Sequence, residues 1–166
     1  MSDLLTGLHS RHQLHIELLS QAARANDAQP LALLLLEVRD FAVWQRQRTP
    51  LDGDRLLRAV GTVLECAAPE GAFLARWDNA CFAMLLPDCA LWCAEDVAEA
   101  LRVEVQQAAF SGPVGYPGLD LVYGAACQPP ADQNSLPLAA EERLDRAKGG
   151  PLARLQAFVD APAGGA

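Results

Sequence analysis

Ala72-Phe73-Leu74-Ala75-Arg76-Trp77-Asp78-Asn79-Ala80-Cys81-Phe82-Ala83-Met84-Leu85-Leu86-Pro87 carries two short apolar runs around one polar break. Ala72 to Arg76 and Ala80 to Leu86 read as strands, with Trp77, Asp78 and Asn79 between them and Asp-Asn as a tight-turn pair. The stretch predicts a β-hairpin. Upstream, Leu31-Ala32-Leu33-Leu34-Leu35-Leu36-Glu37-Val38 is almost wholly apolar. Its composition would also allow a buried helix. Pro30 before it and Arg39-Asp40 after it favour a strand covered on both faces.

Helical spacing fills the segments between. Residues 11–25 place Leu14, Leu18 and Ala22 on one ladder and Ile16, Leu19 and Ala23 on a second beside it. Asn26-Asp27 and Pro30 stop that helix. Residues 55–66 carry Leu56, Leu57, Val60, Val63 and Leu64, with Asp52-Gly53-Asp54 as the expected N-cap. The longest helix is expected from Asp88, its cap, to about Ala109. Leu119 to Cys127 predicts a strand and Leu138 to Lys148 a helix stopped by Gly149-Gly150-Pro151. Leu152 to Val159 is expected as a final strand. The order α-β-α-β-β-α-β-α-β implies an α/β (α+β) architecture, a mixed sheet flanked by helices. Residues 1–160 are expected to form a single domain and 161–166 a flexible tail.

Composition limits the function classes. Half of the 166 residues are hydrophobic (51%), enough for a packed core and too apolar for a disordered chain. The 21 acidic against 13 basic residues give a net charge of −8. Such a chain lacks the basic footprint that nucleic acid or an anionic membrane surface requires. No apolar run reaches the ~18 residues of a membrane span. Met1-Ser2-Asp3 does not open a secretory signal, so the five cysteines are expected reduced and the protein cytoplasmic. Cys89 and Cys93 are four apart on the expected helix, but two thiols fall short of a structural zinc set. His9, His12 and His15 read as surface residues.

Several strings, in order, resemble one family: the GGDEF domain of bacterial diguanylate cyclases. Asp3-Leu4-Leu5-Thr6-Gly7-Leu8-His9-Ser10-Arg11 is similar to its D-x-L-T-G-L-x-N-R opening. Leu33 to Phe41, LLLLEVRDF, is similar to the strand ending in D-x-D-x-F. Gly53-Asp54 with Leu57 resembles G-D-x-x-L, Tyr123-Gly124-Ala125-Ala126 the S-I-G-V-A strand, and Ala147-Lys148 the A-K of the last helix. The resemblance implies a ferredoxin-like palm core with a mostly antiparallel sheet of about five strands. It also implies an ancestral chemistry: two GTP molecules joined into cyclic di-GMP by a dimer, with divalent metals held on carboxylates.

The residues at those positions depart from that chemistry. Asp78-Asn79-Ala80-Cys81-Phe82 stands where the family has G-G-D/E-E-F. Both glycines and both acids are absent. A Cys suits Mg²⁺ poorly. Of the D-x-D acids, Glu37 keeps a carboxylate, a candidate metal ligand or a partner for Arg39 or another base; Arg39 reverses the second charge. Gln45 and Asp54 fall where the family reads guanine with Asn and Asp. Asp54 could equally cap the following helix. Lys148 matches the family's phosphate-contacting lysine, or is a helix-end cation favoured by the dipole. The product-inhibition R-x-x-D falls on Pro69-Glu70-Gly71-Ala72, with neither Arg nor Asp. Arg46 and Arg48 form a small basic loop beside this region.

The expectation is a degenerate, catalytically inactive GGDEF domain acting as a regulatory or protein-interaction module in bacterial cyclic di-GMP signalling. Its expected partner is another signalling protein, with a homodimer as a further option. No cofactor is expected, and Mg²⁺ only alongside a bound nucleotide. Two alternatives stay open: a GTP or purine-nucleotide receptor without turnover, and a residual cyclase using Glu37 and Asp78.

Overall fold

The computed structural model describes residues 2–111, 116, 118–129 and 135–149. In chain order the elements are α1 (Arg11–Ala22), β1 (Leu31–Val38), α2 (Phe41–Gln45), α3 (Pro50–Ala67), β2 (Phe73–Asp78), β3 (Cys81–Pro87), α4 (Leu91–Ser111), β4 (Leu121–Gln128) and α5 (Leu136–Ala147). The strands form one sheet in the order β2-β3-β1-β4, every pairing antiparallel. Among the described residues four strands therefore stand, where about five were expected. The fifth, at 152–159, and the tail at 161–166 lie outside the described residues.

The alternation of β1 builds the core. Ala32, Leu34, Leu36 and Val38 point to the face that also buries Leu56, Leu57, Val60 and Leu64 of α3 and Ala94, Ala98 and Leu101 of α4. Leu31, Leu33 and Leu35 point to the other face, against Leu14 and Leu18 of α1 and Leu136, Ala140 and Leu144 of α5. With Leu31 to Leu36 each at most 2% exposed, the central strand lies between two helical layers, as its apolar run requires.

Gly124 sets the spacing on the second face. A Cβ placed there would lie 2.2 Å from the Leu144 amide nitrogen and 2.6 Å from the Ala140 carbonyl oxygen. Only a residue without a side chain lets α5 lie this close on β4. Leu144 and Lys148 are one turn apart, so this contact also fixes where the end of α5 meets the sheet.

Two local expectations, the caps of α3 and α4, are corrected, and two local features are added. The second ladder on α1 faces solvent: Ile16 and Leu19 are more than half exposed. The cap of α3 is Thr49, whose side chain accepts from the Asp52 amide while Asp52 returns a bond to the Thr49 amide. With Pro50 at the first helical position this is a complete start signal, and Asp54 lies inside the helix and caps nothing. α4 begins at Leu91, so Asp88 is not its cap but a left-handed residue (φ 51°) at the end of β3. Cys89 accordingly precedes the helix that holds Cys93. Finally, Phe41–Gln45 is a short helix that the sequence reading lacked.

Candidate functional site

A cleft of about 580 Å³ opens where the end of β1, the β2–β3 turn, α2 and the end of α5 converge. It unites Glu37, Asp78, Asn79, Ala80, Cys81 and Lys148. Gln45 and Asp54 do not line it. The Gln45 amide nitrogen instead packs 2.6 Å from where a Cβ on Gly53 would lie, and Asp54 is exposed on α3. Phe82, last of the five signature positions, is fully buried in the core.

The hairpin turn is short. Asp78 pairs with Cys81, leaving Asn79-Ala80 as the connection rather than Asp78-Asn79. Among the described non-glycine residues, positive φ occurs only at Asp40 and Asp88. The turn thus needs no left-handed residue, and the loss of both glycines costs the backbone nothing here. Arg76 holds it from behind. Its Nε donates to the Asp78 and Asn79 carbonyl oxygens, each at 3.1 Å, and its Nη2 also reaches Asn79. Its Nη1 lies 3.3 Å from Asp3 Oδ2.

Asp3 is in turn the organiser of the N-terminal segment. Its carboxylate accepts from the Thr6 amide at 2.8 Å and the Thr6 hydroxyl at 2.6 Å. Burial opposes its charge, but the Thr6 bonds and the Arg76 guanidinium outweigh that and hold the carboxyl below the usual range. The sequence reading missed Arg76 as a site residue. Its signal was available: a lone base two residues before the turn, within a β-hairpin.

At the position of the signature acids the chemistry is apolar. Ala80 is 5% exposed and packs with the α3/α4 face of the core, and its carbonyl oxygen accepts from the Val38 amide at 3.0 Å. Cys81 is 4% exposed. Burial pushes its thiol up to about 12, and the Glu37 and Asp78 carboxylates add to the effect. A neutral, buried thiol is no ligand for a hard divalent cation.

Glu37 is the one acid kept from the expected metal set, and it has a partner. Lys148 Nζ lies 2.7 Å from its Oε2. The base is Lys148 and not Arg39, which turns to Asp120 at 3.8 Å. Asp120 is further held by Arg102 Nη1 at 3.1 Å and Gln106 Nε2 at 3.0 Å. Two candidates read separately in the sequence are thus one ion pair. Trp77 forms part of the wall, its indole nitrogen donating to Glu141 Oε1 at 3.2 Å and its ring lying under Arg11 at 3.8 Å.

The lining carries Glu37, Asp40, Asp78, Glu141 and Asp145 against Arg39 and Lys148. The lining side chains thus carry five carboxylates against two cations, and Glu141 is also paired with Arg11 at 3.6 Å. That field opposes a polyphosphate unless metal ions accompany it. Among the described residues, no three His, Cys, Asp or Glu side chains are arranged to hold a metal ion. Pro69 to Ala72, at the expected inhibition-site positions, form the turn into β2, with Gly71 left-handed (φ 81°). His9 stacks on Phe73 at 4.1 Å and His15 tilts over Trp77 at 5.6 Å, both on the surface.

Comparison with known proteins agrees with this architecture. The family described as "Diguanylate cyclase, GGDEF domain" matches residues 1–151. A curated relative, the uncharacterized protein YhcK of Bacillus subtilis, is 29% identical over 151 residues. That alignment takes in 88% of this chain and 42% of YhcK, so the chain spans less than half the length of that relative. The GGDEF domain of DgcB from Caulobacter crescentus, solved with c-di-GMP, superposes with a TM-score of 0.77 at 25% identity, over 89% of each chain. The diguanylate cyclase SiaD of Pseudomonas aeruginosa, solved with its activator SiaC, superposes with a TM-score of 0.79 at 26% identity, over 89% of this chain and 57% of SiaD. Among the described residues no helix is long and apolar enough to cross a membrane. With the matched span taking in every element from α1 to α5, the chain belongs to the GGDEF domain family of diguanylate cyclases.

Proposed function

We propose that this domain is a non-catalytic GGDEF module that acts in cyclic di-GMP signalling through a protein partner. The observation that carries the reading is the Glu37–Lys148 pair. The remaining metal-side carboxylate is neutralised by an ammonium 2.7 Å away, while the two signature acid positions are a buried alanine and a buried cysteine. Phosphoryl transfer depends on positioned metal charge. With Lys148 on Glu37 and no acid at Ala80 or Cys81, the positions that hold metal in the family lack a free carboxylate to supply it. The partner is proposed as another signalling protein, in line with SiaD, which is solved with an activator.

Incubation with GTP and Mg²⁺ or Mn²⁺, followed by nucleotide chromatography, tests this. Unchanged GTP is expected, and a cyclic di-GMP peak would overturn the proposal. A second reading, a nucleotide receptor without turnover, draws on Lys148 facing the cleft. Thermal shift separates the two. A ligand at ~100 times its dissociation constant adds about 2.7 kcal/mol, a shift of several degrees at this size. The module reading expects no shift with GTP, GDP or cyclic di-GMP; the receptor reading expects one with GTP that Lys148→Met removes.

A further inference from the structure

A groove of about 850 Å³ runs between α3 and α4. Val63, Ala67, Val97, Ala100, Leu101 and Ala108 give it an apolar lining of mostly small side chains. Such a lining leaves room for the side chains of a third helix. Cys66 and Glu104 also line it, and both are exposed. On the opposite face of the sheet, α1 presents the matching shape. Its core stripe is Leu14, Leu18 and Ala22. Ile16, Leu19 and Ala23 form the second stripe, at i, i+3 and i+7, with Ile16 56% and Leu19 55% exposed. That is the spacing of a helix seated in a groove.

Charge narrows the choice of occupant. In a chain of net charge −8, two copies repel each other in most orientations. The groove lies on the acidic side of that balance: α4 carries four acids against one base. α1 is the exception. Its single acid, Glu17, already accepts from Gln21 Nε2 at 2.7 Å, and Arg24 directly follows Ala23.

We propose that the α3–α4 groove takes α1 of a second copy of this chain, with Ile16 and Leu19 seated in it and Arg24 flanking toward Glu104. The contact is independent of the cleft. From Val97 to Ala108 the groove follows about 16 Å of helix, enough for the ~10 Å from Ile16 to Ala23. Because α1 and the groove lie on opposite faces, the contact joins unlike surfaces. Each association leaves one α1 and one groove free, so growth continues head to tail. A helix of 12 residues covers less than the ~800 Å² per partner of a standard complex, so the association is weak.

Sedimentation velocity tests this, under reductant so that the exposed Cys66 forms no disulfide. From about 10 µM to about 1 mM the mean mass should rise without a plateau at two chains. Ile16→Glu combined with Leu19→Glu should stay monomeric, and so should Ala100→Arg. All three positions are exposed, so the variants should fold. An equimolar mixture of the two variants should form a complex that stops at two chains, since only one intact α1 meets one intact groove. If a variant does not fold, Cys66 gives a second readout: its alkylation in the wild type should slow as concentration rises. Four results would overturn the proposal. They are a monomer at the highest concentration, a plateau at the dimer, variants that do not complement each other, and alkylation equally slow at every concentration, as when another segment of the same chain fills the groove.

Discussion

Two places in this molecule are read by glycine, and they make opposite demands. On β4, Gly124 lies under α5 so closely that any Cβ would enter the backbone of Leu144. At the β2–β3 turn, where the family has two glycines, Asp78 and Asn79 fit without a left-handed residue. The first position is a steric requirement of the fold. The second, in this chain, is not. The framework of the family can therefore be kept while the residues of its signature turn change.

The largest expected effect attacks the first place. Gly124→Ala should lift α5 from the sheet and cost about 3 kcal/mol or more in denaturant unfolding, from overpacking against backbone that cannot yield. A cost below ~1 kcal/mol would mean that α5 slides freely, and the contrast would fail.

Next comes the clamp behind the turn. Arg76→Ala removes the bonds to two turn carbonyls and to Asp3, and should cost about 2 kcal/mol. Asp3→Asn sharpens this through pH. The Asp3 carboxyl is depressed in the folded state, so its contribution is present above the ordinary value of 3.8. It is lost as pH falls through the lower folded value. The stability gap between the wild type and Asp3→Asn should close under acid; a gap independent of pH would remove the ion pair from the account.

The cleft is expected to matter less to stability. Glu37 and Lys148 are 24% and 35% exposed, so solvent screens them. A double-mutant cycle with Glu37→Gln and Lys148→Met should give a coupling of about 0.5–1 kcal/mol. No coupling would mean that the pair is not held in solution. The smallest effect is a gain. Gly61 lies inside α3, where a new Cβ would meet Leu8 at 3.4 Å and Phe82 at 3.5 Å, ordinary contacts. Gly61→Ala should stabilise by about 0.5–1 kcal/mol, the reverse of Gly124→Ala.

The fold was largely legible because β1 writes both faces of the core into eight residues. The hairpin was legible from its polar break, although the turn pair shifts by one residue. What escaped has local causes. α2 has five residues, and the side chain of Asp40 before it makes no cap bond, so no start signal marks it. Thr49-Pro50 was a better start signal than Asp54, but Asp52, Gly53 and Asp54 nearby offered competing caps. The Ile16-Leu19 ladder is apolar yet exposed, and spacing alone does not say which of two stripes meets the core. In the site, the loss of acids at Ala80 and Cys81 could be read directly. The pairing of Glu37 with Lys148 could not. It depends on α5 lying on β4 through Gly124, a contact between residues distant in sequence.

The central claim is that Lys148 fills the place of a divalent cation at Glu37. Titrating Mn²⁺ into the protein and following the free-ion electron paramagnetic resonance signal tests it most directly. The account predicts that the protein, in the absence of nucleotide, leaves the free Mn²⁺ signal undiminished at neutral pH. Stoichiometric loss of that signal, abolished by Glu37→Gln, would contradict it.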